Sequence, residues 1–537
     1  MEEIKKAVAG AVKDLFGEDV EPELTRPDEQ FGDYSTNVAM QLAGKTGKSP
    51  REIAAALAEK IKSPVVSKIE LAGPGFLNII LTDEALIDAL HKKPVQPNMS
   101  REVLVEFGDP NPFKQMHIGH LYSYIVGDSI AKLLEASGAD VKRLSYHGDV
   151  GLHVAKALWG LQQAGIKPQL GEMIQNIGTY YQKGAEAYEK DERAREEIHE
   201  INEHVYKKDS PEINELYEYG KTESFREFDA ILNDLGVKTD KRYLESETAK
   251  IGAQSVKANL GKVFKESDGA IVYDGEKVGL HTRVFITSKG LPTYETKDLG
   301  LAELKNRDFA EASRSIIITA NEQSEYFKVM MAALAEFDKP LADSITHISH
   351  GFVSLSTGKM SSRTGKVYTG IAAMVDIQHT IKKLFPDATI ETENAAIKYD
   401  FLKHRLGSDI VYNVEESFSI EGNSGPYLQY AHARARSILS KKAAPDTRPD
   451  KFEPAERSLL RKITEYAETV DRAVNELMPH HICTYLYELA QKFNSFYEHN
   501  RVLDDPRESV RLQLVQAYAD TLKNGLDLLN ISAPEKM

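Results

Sequence analysis

Residues 103–120 read VLVEFGDPNPFKQMHIGH and combine a strand, a loop and the start of a helix. The first five residues form a short apolar run bounded by Gly, Asp and Pro, a pattern typical of a buried strand. A helical pattern extends from about Leu121 to Ala136, and Asp140–Leu144 is a second strand-like run. Strand, helix and strand within about 40 residues predict a βαβ unit and therefore a parallel sheet.

The flanking sequence predicts one further domain on each side of this α/β centre. Residues 1–97 contain two helical patterns, two strand-like runs around a Gly-Pro-Gly turn and a linker near 91–97, which indicates a small α/β or α+β domain. From about residue 391 onward the pattern is helical almost throughout and predicts an all-α bundle. The predicted domains are 1–97, 98–390 with a helical insertion at about 160–250, and 391–537.

The composition is that of an ordinary globular protein. The 537 residues carry a formal net charge of −15, which argues against a general nucleic-acid coat protein but leaves room for a local basic face. The single cysteine, Cys483, excludes a disulfide framework and a cysteine-based zinc site. No signal-peptide pattern and no apolar run of about 18 residues is present, so we expect a cytoplasmic protein without a membrane segment.

Charge is distributed unevenly along the chain. Residues 183–245 contain 11 basic and 18 acidic side chains, and residues 431–452 contain six basic and two acidic ones. The acidic segment is interpreted as a solvated helical insertion. The basic segment is a candidate nucleic-acid surface, with an ordinary solvated helix end as the alternative.

The predicted helix start near residue 117 has the chemistry of a phosphate site. Free N–H groups and the positive end of the helix dipole favour anions at such a position. His117 and His120 can donate hydrogen bonds to phosphate oxygens, Gly119 lets a flat ligand approach the backbone, and Lys114 adds a point charge. A helix-capping histidine pair or two metal ligands are the alternatives.

A second candidate phosphate-binding segment is STGKMSSRTGK at 356–366. Two glycines bound a loop rich in hydroxyl and cationic groups, which could close over a triphosphate and neutralise a leaving pyrophosphate. Alone the pattern is weak, because a basic polar loop is usually only a loop. Together with the first segment it becomes specific.

The pair HIGH at 117–120 and KMSSR at 359–363 resembles the two signatures of class I aminoacyl-tRNA synthetases. The context of both motifs is similar to that of arginyl-tRNA synthetases, and the resemblance covers nearly the whole chain. FGDYSTN at 31–37 and GPGFLN at 73–78 resemble that family's N-terminal additional domain, and YLQYAHAR at 427–434 its helical anticodon-binding domain. The resemblance implies a Rossmann-like catalytic domain between those two domains.

The family resemblance also implies a reaction, in which ATP with Mg²⁺ activates L-arginine for transfer to tRNA(Arg) by a cytoplasmic, monomeric enzyme without zinc. It implies catalytic or ATP-binding roles for Lys114, His117, Gly119, His120, Gly148, Asp149, Lys359, Met360, Ser361, Ser362 and Arg363. It implies arginine binding by Glu106, Asp109, Asn111, Tyr294 and Asp298. The implied tRNA-binding residues are Phe31, Tyr34, Asn37, Gln429, Tyr430, His432, Arg434 and Arg436.

Residue chemistry is consistent with arginine as the substrate, because a guanidinium group needs carboxylates and planar acceptors. Tyr294 and Asp298 are spaced i, i+4 and share a helix face, although the same spacing also describes an ordinary exposed pair. Several positions depart from the family pattern: Val329, Val150, Tyr146 and Asp109 replace other residues, and Ser362 stands where the wider class has a second lysine. Another class I ligase, or a non-catalytic paralogue that binds tRNA, remains the alternative.

Overall fold

The computed structural model describes residues 1–90, 101–166, 168, 177–355, 379, 381–383, 386, 388–445, 449 and 451–537. The predicted linker at 91–97 and the predicted ATP-binding residues Lys359, Met360, Ser361, Ser362 and Arg363 lie outside the described residues. Within the described part of the chain, no helix is both long and apolar enough to cross a membrane.

The N-terminal region is a small α+β unit. Its three strands form an antiparallel sheet in the order β1-β3-β2, with helices packed against it. A capping box between Ser49 and Glu52 and a proline at the first helical turn start the third helix. The elements are α1 (Glu2–Phe16), β1 (Tyr34–Thr36), α2 (Val38–Thr46), α3 (Pro50–Lys60), β2 (Val66–Ala72), β3 (Phe76–Leu81) and α4 (Asp83–Leu90).

The central region is built on a parallel five-stranded sheet, as predicted, in the order β11-β10-β4-β5-β6. Its strands are β4 (Glu102–Glu106), β5 (Asp140–His147), β6 (Lys241–Leu244), β10 (Arg314–Ala320) and β11 (Ile345–His350). The chain runs from β4 towards β5 on one side and returns to β10 on the other. The switch point between β4 and β10 is where open α/β sheets bind ligands.

Helices cover this sheet and extend it on one side. They are α5 (Ile118–Ala136), α6 (Leu152–Gln163), α7 (Gly178–Lys190), α8 (Glu192–Lys207), α9 (Pro211–Asp234), α10 (Glu245–Ala258), α11 (Tyr294–Asp308), α12 (Ser324–Phe337) and α13 (Lys339–Ser344). Helices α7 to α9 form the acidic insertion and bury their apolar faces against α6. An antiparallel sheet of β7 (Phe264–Ser267), β8 (Ala270–Tyr273) and β9 (Arg283–Ile286) precedes α11.

The C-terminal region is mainly helical, but the helical prediction for 391–440 was wrong at one point. Ile410–Tyr412 forms β13, which pairs in parallel with β12 (Val353–Leu355). Ile410 and Tyr412 are buried while Val411 is exposed, the alternation of a half-buried strand. The helices are α14 (Ile390–Leu402), α15 (Val414–Ser417), α16 (Gly425–Lys441), α17 (Pro454–Thr464), α18 (Tyr466–Glu476), α19 (His480–His499) and α20 (Glu508–Leu528).

Helix α5 lies between the sheet and the helical bundle and is buried along most of its length. The hydroxyl of Ser129 donates to the carbonyl of Leu528 at 3.1 Å, and the Asn530 amide donates to Asp128 at 2.7 Å. The helix is therefore held at its middle by the C-terminal segment. Its N-terminus is fixed at the carboxyl edge of the sheet, where β4 ends.

Candidate active site

Two histidines form the N-terminal turn of α5. His117 is the N-cap, and its backbone N–H donates to Nδ1 of His120 at 3.1 Å. The two rings stack with their centroids 3.6 Å apart. A side chain at Gly119 would place its Cβ 3.1 Å from the His117 ring, so that only glycine keeps this arrangement without a shift. The structure therefore brings His117, Gly119 and His120 together at one helix terminus.

The charges around this turn favour an anion. Burial lowers the pKa of His117 to about 4 and that of His120 well below its usual value, so both imidazoles are neutral at physiological pH. Lys114 is half-buried, and burial together with the nearby Lys156 lowers its pKa. Its Nζ lies 5.2 Å from the ring centroid of Tyr181. Neutral imidazole N–H groups, a lysine and a helix N-terminus form a suitable phosphate site.

The loop after β4 is tied to the end of β5. Asn111 accepts a hydrogen bond from the Gly148 backbone N–H at 2.9 Å, and a Cβ at Gly148 would lie 2.6 Å from the same amide oxygen. Asp109 has a positive φ of 48° and accepts from the Tyr146 backbone N–H at 2.7 Å. These contacts place Asn111 and Asp109 beside the adjacent strand, at the edge where both strands end.

Four carboxylates surround the same edge, and two of them form ion pairs with lysines. Lys305 Nζ contacts Glu106 Oε2 at 2.7 Å, and Lys297 Nζ contacts Glu245 Oε2 at 2.5 Å. The other two carboxylates are those of Asp109 and Asp298, which have no ion pair with any of the described residues. Burial, and secondly the charge of Glu106, raise the pKa of Asp109 well above its usual value.

Asp298 is the carboxylate whose hydrogen-bonding capacity the described residues satisfy least. It is 8% exposed, and its Oδ2 is buried without a hydrogen-bond partner among the described residues. Burial raises its pKa to about 8; a hydrogen bond with Tyr326 opposes that shift and the charge of Glu106 adds to it. A cationic, hydrogen-bonding ligand would satisfy this group and favour its ionised form.

The domain set decides the family. A family model described as "tRNA synthetases class I (R), catalytic domain" matches residues 83–384, more than half of the chain. Models of the arginyl tRNA synthetase N terminal domain and of the DALR anticodon binding domain match residues 2–81 and 428–537. The chain belongs to the arginyl-tRNA synthetase family. By family it is a class I aminoacyl-tRNA synthetase, and the sequence predictions of family and fold class are confirmed.

Relatives and solved structures agree over the full length. An arginine–tRNA ligase of Lactobacillus delbrueckii subsp. bulgaricus is 30% identical over 99% of this chain and 99% of its own. One from Flavobacterium psychrophilum is 31% identical over 86% of this chain and 85% of its own. The Thermus thermophilus arginyl-tRNA synthetase structure superposes with a TM-score of 0.83 at 28% identity, covering 100% of both chains.

Two residues predicted within the synthetase site are placed differently by the structure. Asp149 is fully buried, and its oxygens accept hydrogen bonds from Tyr217 at 2.6 Å and from the backbone and hydroxyl of Ser246 at 2.9 and 2.6 Å. It therefore ties the end of β5 to α9 and α10, and its role in ATP binding stays a prediction. Tyr294 is 68% exposed at the first position of α11, so it lies at the rim of the site, unlike Asp298.

Three residues predicted to bind tRNA are buried and held by the protein itself in this conformation, and their assignment stays a prediction. The Tyr34 hydroxyl contacts Arg26 and Glu468 between the N-terminal and C-terminal regions. Gln429 donates to the carbonyl of Ser532 at 2.9 Å, and His432 contacts that of Pro534. A side chain that water does not reach cannot bind tRNA in this conformation.

The other five residues of that set reach the surface. Phe31 is exposed, and Asn37 accepts a hydrogen bond from Gln41. Tyr430 is 41% exposed beneath the Arg434 guanidinium, 4.8 Å from the ring centroid, and Asn494 holds that guanidinium at 3.1 Å. Arg436 is paired with Glu535 at 2.6 Å. All five remain predictions.

Sequence reasoning did not identify Lys297, Lys305 or Glu245 as residues of this site. A signal was present for Glu245, because it follows the end of a parallel strand and such ends meet at one edge. Lys305 lies seven residues after Asp298, two helical turns along the same face. Tyr146, predicted only to depart from the family pattern, has its hydroxyl 2.7 Å from Thr248 and faces the carboxylates.

Proposed function

We propose that the chain ligates L-arginine to tRNA(Arg) with ATP, and that the carboxylate cluster and the N-terminus of α5 are its amino-acid and nucleotide sites. The observation that carries the proposal is the buried carboxyl oxygen of Asp298, unpaired among the described residues, at the sheet edge where a histidine-capped helix begins. The carboxyl oxygen favours a cationic ligand, and the helix N-terminus favours an anionic one. Arginine and ATP supply these two charges.

The guanidinium of arginine takes the position beside Asp298, and Glu106 and Asn111 hold the substrate's amino group and guanidinium side. Asp298 makes a charge-assisted hydrogen bond that a neutral side chain cannot replace. Tyr294 covers the guanidinium from the rim of α11. Asp109 acts through the backbone of Tyr146 and keeps the loop after β4 in place. Val329 is buried among apolar residues of α12, so it provides no polar contact to the substrate.

ATP binds with its phosphates at the N-terminus of α5. His117 and His120 donate hydrogen bonds as neutral imidazoles, and Lys114 supplies the positive charge. Gly119 and Gly148 leave room for the His117 ring and the Asn111 amide, which keeps both groups in place at the site. Mg²⁺ would accompany ATP and would neutralise part of the negative charge of the phosphates. The segment 359–363 contributes Lys359 and Arg363 as further phosphate-binding groups, as the family resemblance implies.

The reaction has two steps. The arginine carboxylate attacks the α-phosphorus of ATP and pyrophosphate leaves, which gives arginyl-adenylate. A hydroxyl of the terminal tRNA ribose then attacks the carbonyl carbon of the adenylate, and AMP leaves. The enzyme contributes by positioning both substrates and by stabilising the charge that develops on the phosphates.

The bundle and the N-terminal region provide the tRNA surface. Tyr430 and Tyr497 are exposed aromatic rings on either side of Arg434, an arrangement that suits stacking with unpaired bases. Phe31 provides a further exposed ring in the N-terminal region. One chain carries all of these surfaces together with both substrate sites, so a monomer suffices for the reaction.

The test is amino-acid-dependent exchange between ATP and pyrophosphate, measured with and without tRNA(Arg). Arginine, and no other amino acid, is expected to support exchange. Exchange that depends on a different amino acid would favour another class I ligase. No exchange with any amino acid, together with retained tRNA binding, would favour the non-catalytic paralogue.

A further inference from the structure

The ion pair between Lys305 and Glu106 is unusually well buried. The two side chains are 2% and 4% exposed, and their charged atoms lie 2.7 Å apart. Desolvating two charges costs several kcal/mol, and an apolar pair of similar size often stabilises a fold better. The pair therefore needs a reason beyond the stability of the fold.

The position of the pair supplies that reason. Glu106 is the last residue of β4, next to Ile317 of β10 at the switch point of the sheet. Lys305 reaches it from α11, the helix that also carries Asp298. Both acids and Lys305 line one small pocket, together with Leu301, Ala302, Ile317, Phe327 and Met330. The lysine and the two carboxylates thus share one pocket at the proposed arginine site.

We propose that Lys305 is a positioning residue that orients the Glu106 carboxylate towards the bound arginine. The inference rests on the proposed function. Lys305 Nζ donates to Oε2 of Glu106 and so fixes the orientation of that carboxylate. Without the lysine, Glu106 would be a buried carboxylate with no ion-pair partner among the described residues.

The experiment compares Lys305→Met with the double variant Lys305→Met/Glu106→Gln, in arginine-dependent exchange and thermal unfolding. The matched control is Lys241→Met, which removes the more exposed ion pair with Asp308 at the end of the same helix. We expect Lys305→Met to raise the KM for arginine at least about tenfold while the KM for ATP changes less than about twofold.

The double variant distinguishes a role of Lys305 in positioning Glu106 from a role in the stability of the fold. It can still be measured if Lys305→Met alone fails to fold. Removal of both charges should restore the unfolding temperature towards that of Lys241→Met but leave the arginine KM high. Recovery of both quantities would show that the pair is only structural and would overturn the proposal. An unchanged arginine KM in Lys305→Met would also overturn it. A wild type without arginine-dependent exchange would instead overturn the proposed function itself.

Discussion

The proposed nucleotide and amino-acid sites lie at the same edge of one sheet, yet their ionisable residues differ in how charge is compensated. At the N-terminus of α5, burial and neighbouring basic groups keep His117 and His120 neutral. At the carboxylate cluster, Glu106 and Glu245 keep lysine partners, while Asp298 has none among the described residues. Burial disfavours a charge unless a partner compensates it, so we propose that the ligand binds Asp298, whose Oδ2 has no hydrogen-bond partner among the described residues.

The substitution Asp298→Asn should have the largest effect, because it removes the acceptor of the guanidinium and leaves the nucleotide site untouched. Loss of a buried charge-assisted pair costs about 2–5 kcal/mol. We expect this loss in kcat/KM for arginine, with the KM for ATP nearly unchanged, in steady-state exchange kinetics. Equal losses for arginine and ATP would remove Asp298 from the guanidinium site.

Substitution of the histidines tests the proposed nucleotide site at the N-terminus of α5. His117→Ala or His120→Ala should lower kcat at least about tenfold, which corresponds to about 1.4 kcal/mol of barrier, with a modest change in the arginine KM. The reason is that hydrogen bonds to phosphates contribute most as charge redistributes in the transition state. Single-turnover rates of adenylate formation measure this directly. An unchanged kcat in both variants would exclude the histidines from the mechanism.

The pH dependence of arginine binding should show a smaller effect. With a pKa of about 8, Asp298 is largely protonated at pH 7 and must lose its proton to pair with a guanidinium. The arginine KM should therefore fall several-fold as pH rises from 7 to 9, because proton loss favours the bound state. The ionisable side chains near Asp298 are those of Glu106, Asp109, Tyr146, Glu245, Lys305 and Tyr326. Asp298→Asn is the control and should flatten the profile.

The surface arginines should give the smallest effect. Reversing the charges of Arg434 and Arg436 should weaken tRNA binding. It should also reduce the slope of log affinity against log salt concentration by about one unit for each phosphate contact that is lost. Arginine and ATP binding without tRNA should stay the same. The control is charge reversal of the exposed Glu196 and Glu200 in the acidic insertion. If filter binding shows the same affinity and slope for both double variants, the basic face lies elsewhere.

Local patterns predicted much of the fold and part of the site. The apolar run of β4, the glycine after α5 and the run of β5 identify the βαβ unit, because each depends only on neighbours in sequence. The histidine pair is predictable for the same reason. The ion pair between Glu106 and Lys305 joins residues that lie far apart in the chain, so only the sheet order brings them together.

The burial of individual side chains could not be predicted from the motifs either. Tyr34, Gln429 and His432 lie in segments that resemble tRNA-binding regions, yet each is held by a residue from a distant part of the chain. The strand β13 was missed because its pairing partner, β12, lies more than fifty residues earlier. In each case the deciding contact is nonlocal and leaves no periodic trace in the sequence.

The central claim is that a ligand cation completes the carboxylate cluster at Asp298. Its most direct test is calorimetric binding of arginine and of citrulline, which replaces the guanidinium by a neutral urea group of nearly the same shape. Titrations at pH 7 in two buffers of different ionisation enthalpy count the protons released. We predict that arginine binds the wild type with proton release and that citrulline binds at least about thirtyfold more weakly, by about 2 kcal/mol. Equal binding of arginine and citrulline, without proton release, would contradict the claim.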